Sequence, residues 1–218
     1  MKNKLSYYYK KYNGYYILLI LGMYLLKLIM YEFSCNINTN GHLIHMKIDE
    51  LIPFCKYFVI LYYTYYWLPP LLLYLTSYTD TKKFYRLLIS ATSACIIANI
   101  CYITYQVQMV RPEINGNDFF DLWVKFTYFF DPQALNCFPS VHAVMGVFMI
   151  IASYKTNKFP KWLQIASFIS GIGCILSTVF IKQHYFIDVV AGVFLMSIAY
   201  VITLFVDKKI QKKKATSQ

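Results

Sequence analysis

Three short segments of this chain hold the residues able to do chemistry. In Lys182-Gln183-His184-Tyr185-Phe186-Ile187-Asp188, His184 and Asp188 stand four apart, so a helix puts them on one face. A carboxylate bonded to one ring nitrogen fixes the tautomer and leaves the other nitrogen as nucleophile or base. In Asn136-Cys137-Phe138-Pro139-Ser140-Val141-His142, a proline suits a first helical turn because its missing N–H would be unpaired anyway. Ser140 and His142 then fall where free backbone N–H groups and the helix dipole attract anions. A hydroxyl, an imidazole and several amides at one helix start can hold a phosphate. The third segment is Arg111-Pro112, whose guanidinium offers a planar fork of donors suited to phosphate oxygens. Each segment also has a plain reading when taken singly: a pair tying helix ends, an ordinary cap, an arginine on lipid headgroups.

The elements that must carry these segments are apolar. Of 218 residues, 58% are hydrophobic, 19% aromatic and 14% charged, against about 45–50% apolar and about 25% charged in a soluble domain. That excludes a water-soluble globule, and it excludes disorder, which requires low hydrophobicity. Six stretches approach the ~20 apolar residues needed to cross a bilayer: Gly14–Tyr31, Phe54–Leu75, Leu87–Val107, Pro139–Tyr154, Trp162–Ile181 and Tyr185–Val206. The first lacks an A-x-A cleavage site and is too long for a signal peptide's apolar core, so it reads as a retained span. The fourth is short, as though it starts inside a recess. The fold class expected is all-α: a polytopic membrane protein, one domain over residues 1–218, built as a six-helix transmembrane bundle.

Basic residues set the orientation. Lys2, Lys4, Lys10, Lys11, Lys82, Lys83, Arg86, Lys155, Lys158, Lys161, Lys208, Lys209, Lys212, Lys213 and Lys214 fall on one side; Lys47, Lys56, Arg111, Lys125 and Lys182 fall on the other. Lys27 lies within the first span. This asymmetry puts both termini in the cytoplasm, which requires an even number of spans. All three chemical segments then lie at far-side ends of spans, where unpaired ionisable groups are expensive. The net charge of +11 reads as topology anchoring at a membrane surface and not as a nucleic-acid footprint. In the long far-side loop, Phe119–Phe130 reads as an amphipathic interfacial helix, aromatics toward the lipid. The six cysteines include no C-x-x-C pair, and His42 and His45 are lone loop residues, so nothing argues for a metal.

Together these residues resemble the type-2 phosphatidic acid phosphatase superfamily, integral-membrane relatives of vanadium haloperoxidases and glucose-6-phosphatase. The family pattern is K-x6-R-P, then P-S-x-H, then S-R-x5-H-x3-D. Here the second part is complete as Pro139, Ser140 and His142; the third keeps Ser177, His184 and Asp188; the first keeps Arg111-Pro112. The motif core covers residues 104–192. Two family cations are missing: Thr104 stands at the first-motif lysine and Thr178 at the third-motif arginine. These departures, with the H-Y-x-x-D-V form of the third motif, look like the inositol phosphorylceramide synthase and sphingomyelin synthase branch.

What the resemblance implies is a metal-independent enzyme with no cofactor, acting on a lipid phosphate in the bilayer through a phosphohistidine. His184 would be the nucleophile, Asp188 its orienting carboxylate and His142 the acid and base. Arg111, Ser140 and Lys182 would hold the phosphoryl oxygens, with Lys182 standing in for the missing cations. The expected activity is hydrolysis of a phosphomonoester or diphosphate lipid at the outer face of the cell membrane, with headgroup phosphotransfer to a lipid alcohol as the alternative. A non-enzymatic transporter is disfavoured, because neither inverted repeats nor broken midplane helices are visible.

Overall fold

The computed structural model describes residues 2–37, 41–154, 156 and 158–216, with side chains described from residue 14 onward. The side chains of Lys2, Lys4, Lys10 and Lys11, and all of Lys155, used above for orientation, lie outside the described residues. The elements are α1 (Lys2–Cys35), α2 (Lys47–Leu51), a 3-10 turn (Lys56–Phe58) leading into α3 (Val59–Thr79), α4 (Thr81–Thr104), α5 (Phe119–Phe129), α6 (Val141–Ser153), α7 (Lys161–Phe180) and α8 (Phe186–Thr216). The all-α class expected from sequence is present; among the described residues the only β pairing is an isolated His42–Val107 bridge.

Among the described residues five helices are long and apolar enough to cross a membrane: α1 from Gly14, α3 with its leading turn, α4, α7 and α8. The fourth apolar stretch, expected over Pro139–Tyr154, is the 13-residue α6. At 1.5 Å per residue it is ~20 Å long, short of the ~30 Å hydrocarbon thickness. Its packing explains why this is tolerated. α6 lies against α3, α4, α7 and α8, and all but three of its residues are buried. A helix walled by protein need not reach both membrane surfaces.

Glycine sets how close α6 comes to α7. A Cβ on Gly146 would lie 2.8 Å from the Gly171 carbonyl oxygen, and one on Gly171 would lie 2.6 Å from that of Gly146, so the backbones meet directly, as small residues allow in membrane bundles.

The two ends of the bundle are tied differently. At one end, Lys83 Nζ donates to the carbonyls of Ala152 and Tyr154, Lys158 to that of Thr79, and Arg86 pairs with Asp207. At the other end, Asn136 Nδ2 donates to Ser34 Oγ (2.9 Å), and Gln106 Nε2 to Asn136 Oδ1 (3.0 Å) and the Ser34 carbonyl (3.1 Å). That network joins the end of α1 to the end of α4 and to the loop before α6.

The helix expected over Phe119–Phe130 is α5. Asp118 caps it, accepting from the Phe120 and Asp121 N–H groups, and Lys56 holds Asp118 and Asp121 against the start of α3. The Lys56 ammonium, with the Asp121 N–H, pulls the Asp118 carboxyl down to about 2. Asp121, Val124 and Thr127 face inward; Phe119, Leu122, Phe126 and Phe129 face out.

Candidate active site

The histidine turn before α8 is built by the end of α7. The Thr178 carbonyl accepts from both the Gln183 and His184 N–H groups (2.8 and 3.1 Å), and Lys182, just before them, is left-handed at φ 52°. This is the reversal that commonly ends helices, here without glycine. Asp188 then accepts from the Tyr185 N–H (2.8 Å), and Asp49 from the Phe186 N–H (2.7 Å). Two acids cap the first turn of α8, where the dipole favours negative charge.

The start of α6 is locked to this turn. Ser140 caps α6 through the Ala143 N–H (3.2 Å), its own N–H donates to the Asp188 carbonyl (2.9 Å), and the Pro139 carbonyl accepts from Tyr102 (2.7 Å). Pro139 therefore sits just outside the helix, not in its first turn. A Cβ on Gly192 would collide with the Ser140 carbonyl oxygen, so α8 is pressed on the backbone of the P-S-x-H segment.

These locks bring the two imidazoles together: the ring centroids of His142 and His184 are 5.6 Å apart. His184 Nδ1 lies 2.9 Å from the Cys137 carbonyl oxygen. A carbonyl only accepts, so Nδ1 carries the proton and Nε2 presents its lone pair. The expected direct bond to Asp188 is not formed. Its carboxylate is 3.7 Å from Nδ1, because Oδ2 is used by the Tyr185 N–H; Oδ1 has no partner and the residue is fully buried. Thus a backbone carbonyl fixes the tautomer, and Asp188 contributes a nearby negative charge. His142 stacks on Tyr62 (4.3 Å, 23°) and against Tyr65 (4.1 Å, 35°), and its Nε2 has no partner.

Both rings line a cavity of about 1060 Å³ bounded by α1, α3, α5 and the loop before α6. Its inner end is polar, with His142, His184, Gln183, Asp131 and Lys27; its outer end carries Leu18, Leu21, Leu25, Phe126 and Phe130, all more than half exposed.

The three expected phosphate-holding residues lie elsewhere, none of them lining the cavity. Ser140 is fully buried in its cap. Lys182 Nζ donates to the carbonyls of Asp49 (2.9 Å) and Ile52 (2.5 Å), closing the end of α2. Arg111 sits one layer back: its guanidinium binds Asp131, donates to Gln183 Oε1 (2.5 Å) and lies 4.6 Å over the Tyr128 ring. Burial pushes the Asp131 carboxyl up against the pull of that guanidinium. With Gln183 Oε1 held by Arg111, Gln183 Nε2 is left unpartnered beside the cavity. Gln183 was not singled out in the sequence; its place between Lys182 and His184 was the available signal. The missing family cations are not restored locally. Thr104 and Thr178 spend their hydroxyls on carbonyls of their own helices, Ile100 and Ile175.

Cys137 Sγ, a His184 ring nitrogen and an Asp188 oxygen lie within 4.8 Å of one another. They do not suit a metal: Nδ1 is protonated toward the Cys137 carbonyl, Asp188 Oδ2 holds a backbone N–H, and burial pushes the Cys137 thiol well up, whereas ligation needs deprotonated donors. All six cysteines are free.

The family model described as the PAP2 superfamily matches residues 26–202, from the middle of α1 into α8. The chain belongs to the PAP2 superfamily. No curated protein matches it, and no solved structure does. As a PAP2 protein with five apolar helices of crossing length among the described residues, it is a phosphatase-type enzyme of a multi-pass membrane architecture, and the type-2 phosphatidic acid phosphatase resemblance drawn from residues 104–192 extends well into α1.

Proposed function

We propose that this PAP2 protein hydrolyses a phosphomonoester or diphosphate lipid through a phosphohistidine on His184. The observation that carries the reading is the pair of adjacent imidazoles, one with Nε2 free, at the polar end of a cavity whose other end is leucine and phenylalanine. Such a cavity suits an amphiphile, phosphate inward and chain toward the bilayer.

In the first step Nε2 of His184 attacks phosphorus. A P–N bond forms, the P–O bond to the lipid breaks, and His142 gives its proton to the departing oxygen. The imidazolium character that develops on His184 is met by the fully buried Asp188 carboxylate, already fixed at 3.7 Å; a preplaced charge costs no reorganisation when the reaction occurs. In the second step water attacks, the P–N bond breaks, and His142 takes a proton back. Gln183, aligned by Arg111, offers its Nε2 N–H groups to the phosphoryl oxygens.

The basic residues support a six-pass arrangement with α6 as the short central span, both termini cytoplasmic and the histidine end outside the cell. The exposed aromatic face of α5 supports its lying in the outer interface. A lipid alcohol in place of water is the second reading, favoured by threonine at positions 104 and 178.

The test gives purified protein phosphatidate and a polyprenyl diphosphate, with and without a lipid alcohol. Free phosphate is expected, blocked by vanadate and absent in His184→Ala. A new phosphodiester would select the transferase reading. No turnover of either lipid under both conditions would overturn the proposal.

A further inference from the structure

We propose that Lys27, on α1, supplies the positive charge that grips the substrate's phosphoryl group, in place of the two cations missing at positions 104 and 178. The inference rests on the phosphoryl-transfer reading above and extends it to a helix outside the motif core.

Lys27 points into the cavity because of register. Tyr24, Lys27, Tyr31 and Ser34 recur at spacings of three and four and so share one helical face. Ser34 is fully buried in the Asn136–Gln106 network, which fixes the rotation of α1. Two turns back, ~10 Å along the axis, the same face carries Lys27, and Tyr24, Lys27 and Tyr31 all line the cavity. Leu18, Leu21, Leu25 and Leu28, on the neighbouring stripe of α1, line the open side of the same cavity and are exposed.

The ammonium's close contacts are with phenol side chains. Nζ donates to Tyr65 Oη (2.7 Å) and lies 4.4 Å from the Tyr65 ring centroid and 4.7 Å from that of Tyr24. Among the described residues no carboxylate comes within ion-pair distance of it. Lysine has three donors, and the phenol takes one. A cation at this depth without a counter-ion is costly, and its rarity makes an anionic ligand the natural complement. The same Tyr65 ring stands 4.1 Å from the His142 ring, so Lys27 reaches the space beside the reacting imidazoles on a flexible stem.

A second, independent observation points to a ligand there. Four other cavity-lining side chains have buried polar atoms with no partner: Tyr24 Oη, Asn99 Oδ1, His142 Nε2 and Gln183 Nε2. Buried polar groups are normally satisfied. Three of these four can donate, as an oxygen-rich phosphoryl group requires.

The experiment uses detergent-purified full-length protein and measures two things: turnover of a lipid phosphate, and the thermal shift produced by orthovanadate. For Lys27→Met we expect a fall in kcat/KM of at least about 100-fold and loss of the vanadate shift, with Lys27→Arg recovering part of both. Lys27→Gln serves as the uncharged variant if the methionine form does not fold. Wild-type turnover together with a wild-type vanadate shift in either folded, uncharged variant would overturn the assignment, as would a folded variant whose turnover falls while its vanadate shift stays intact, the mark of a merely structural lysine. His184→Ala separates the two readings: if it is inactive while Lys27→Met turns over normally, Lys27 is wrong and the phosphohistidine stands; if the wild type itself is inactive, both fall.

Discussion

The cavity has two walls made by different means. The wall formed by the starts of α6 and α8 is held by backbone: the Asp188 and Cys137 carbonyls, the Tyr185 N–H, and the near contact of Gly192 with Ser140. The wall formed by α1 and α3 is made of long side chains, Lys27, Tyr24, Tyr31, Tyr62 and Tyr65, reaching across to one another. Backbone contacts demand particular residue types at fixed spacing and so leave a motif. Side-chain contacts can be made from many positions and leave none. In the proposed reaction the reacting atoms are therefore fixed by the first wall, while charge and fit to the substrate come from the second.

Changes around the backbone wall should run from large to small. His142→Ala removes the proposed acid and base without touching a cap, and turnover should fall ~10²–10⁴-fold, measured as phosphate release. Gly192→Ala comes next. Its methyl must push α8 away from the Ser140 carbonyl, and because a 1 Å misplacement can cost on the order of 10²-fold, we expect turnover to fall ~10–100-fold with the protein still folded. Full activity there would mean the close approach does not position the histidines. Smallest in turnover is Lys182→Met. Its ammonium serves the Asp49 and Ile52 carbonyls, so about 1–3 kcal/mol of stability should be lost while turnover stays within about threefold. A tenfold loss of turnover at unchanged stability would return Lys182 to the phosphate.

What was legible in the sequence follows the same division. His142, His184 and Asp188 could be read because cap and turn chemistry ties them to Pro139, Ser140 and a four-residue spacing. The apolar stretches gave the helices, since lipid demands continuous hydrophobicity. α6 was shorter than its stretch because Pro139 stays outside the helix as the residue before its cap, a distinction that spacing does not make. Lys182 misled because charge next to a motif says nothing about direction: a left-handed φ turns its side chain to the far side of the loop. Lys27 stood out only as an odd residue in an apolar span, since the register that aims it depends on Ser34 meeting Asn136, over a hundred residues away.

The central claim is that Nε2 of His184 attacks phosphorus while Nδ1 stays on the Cys137 carbonyl. Rapid acid-free quenching with a ³²P-labelled lipid phosphate, followed by peptide mapping, tests it most directly. The account predicts an acid-labile, base-stable phosphate on His184, carried on Nε2 and absent from His184→Ala. Label on Nδ1, label on another residue, or turnover with no protein-bound phosphate at any quench time would contradict it.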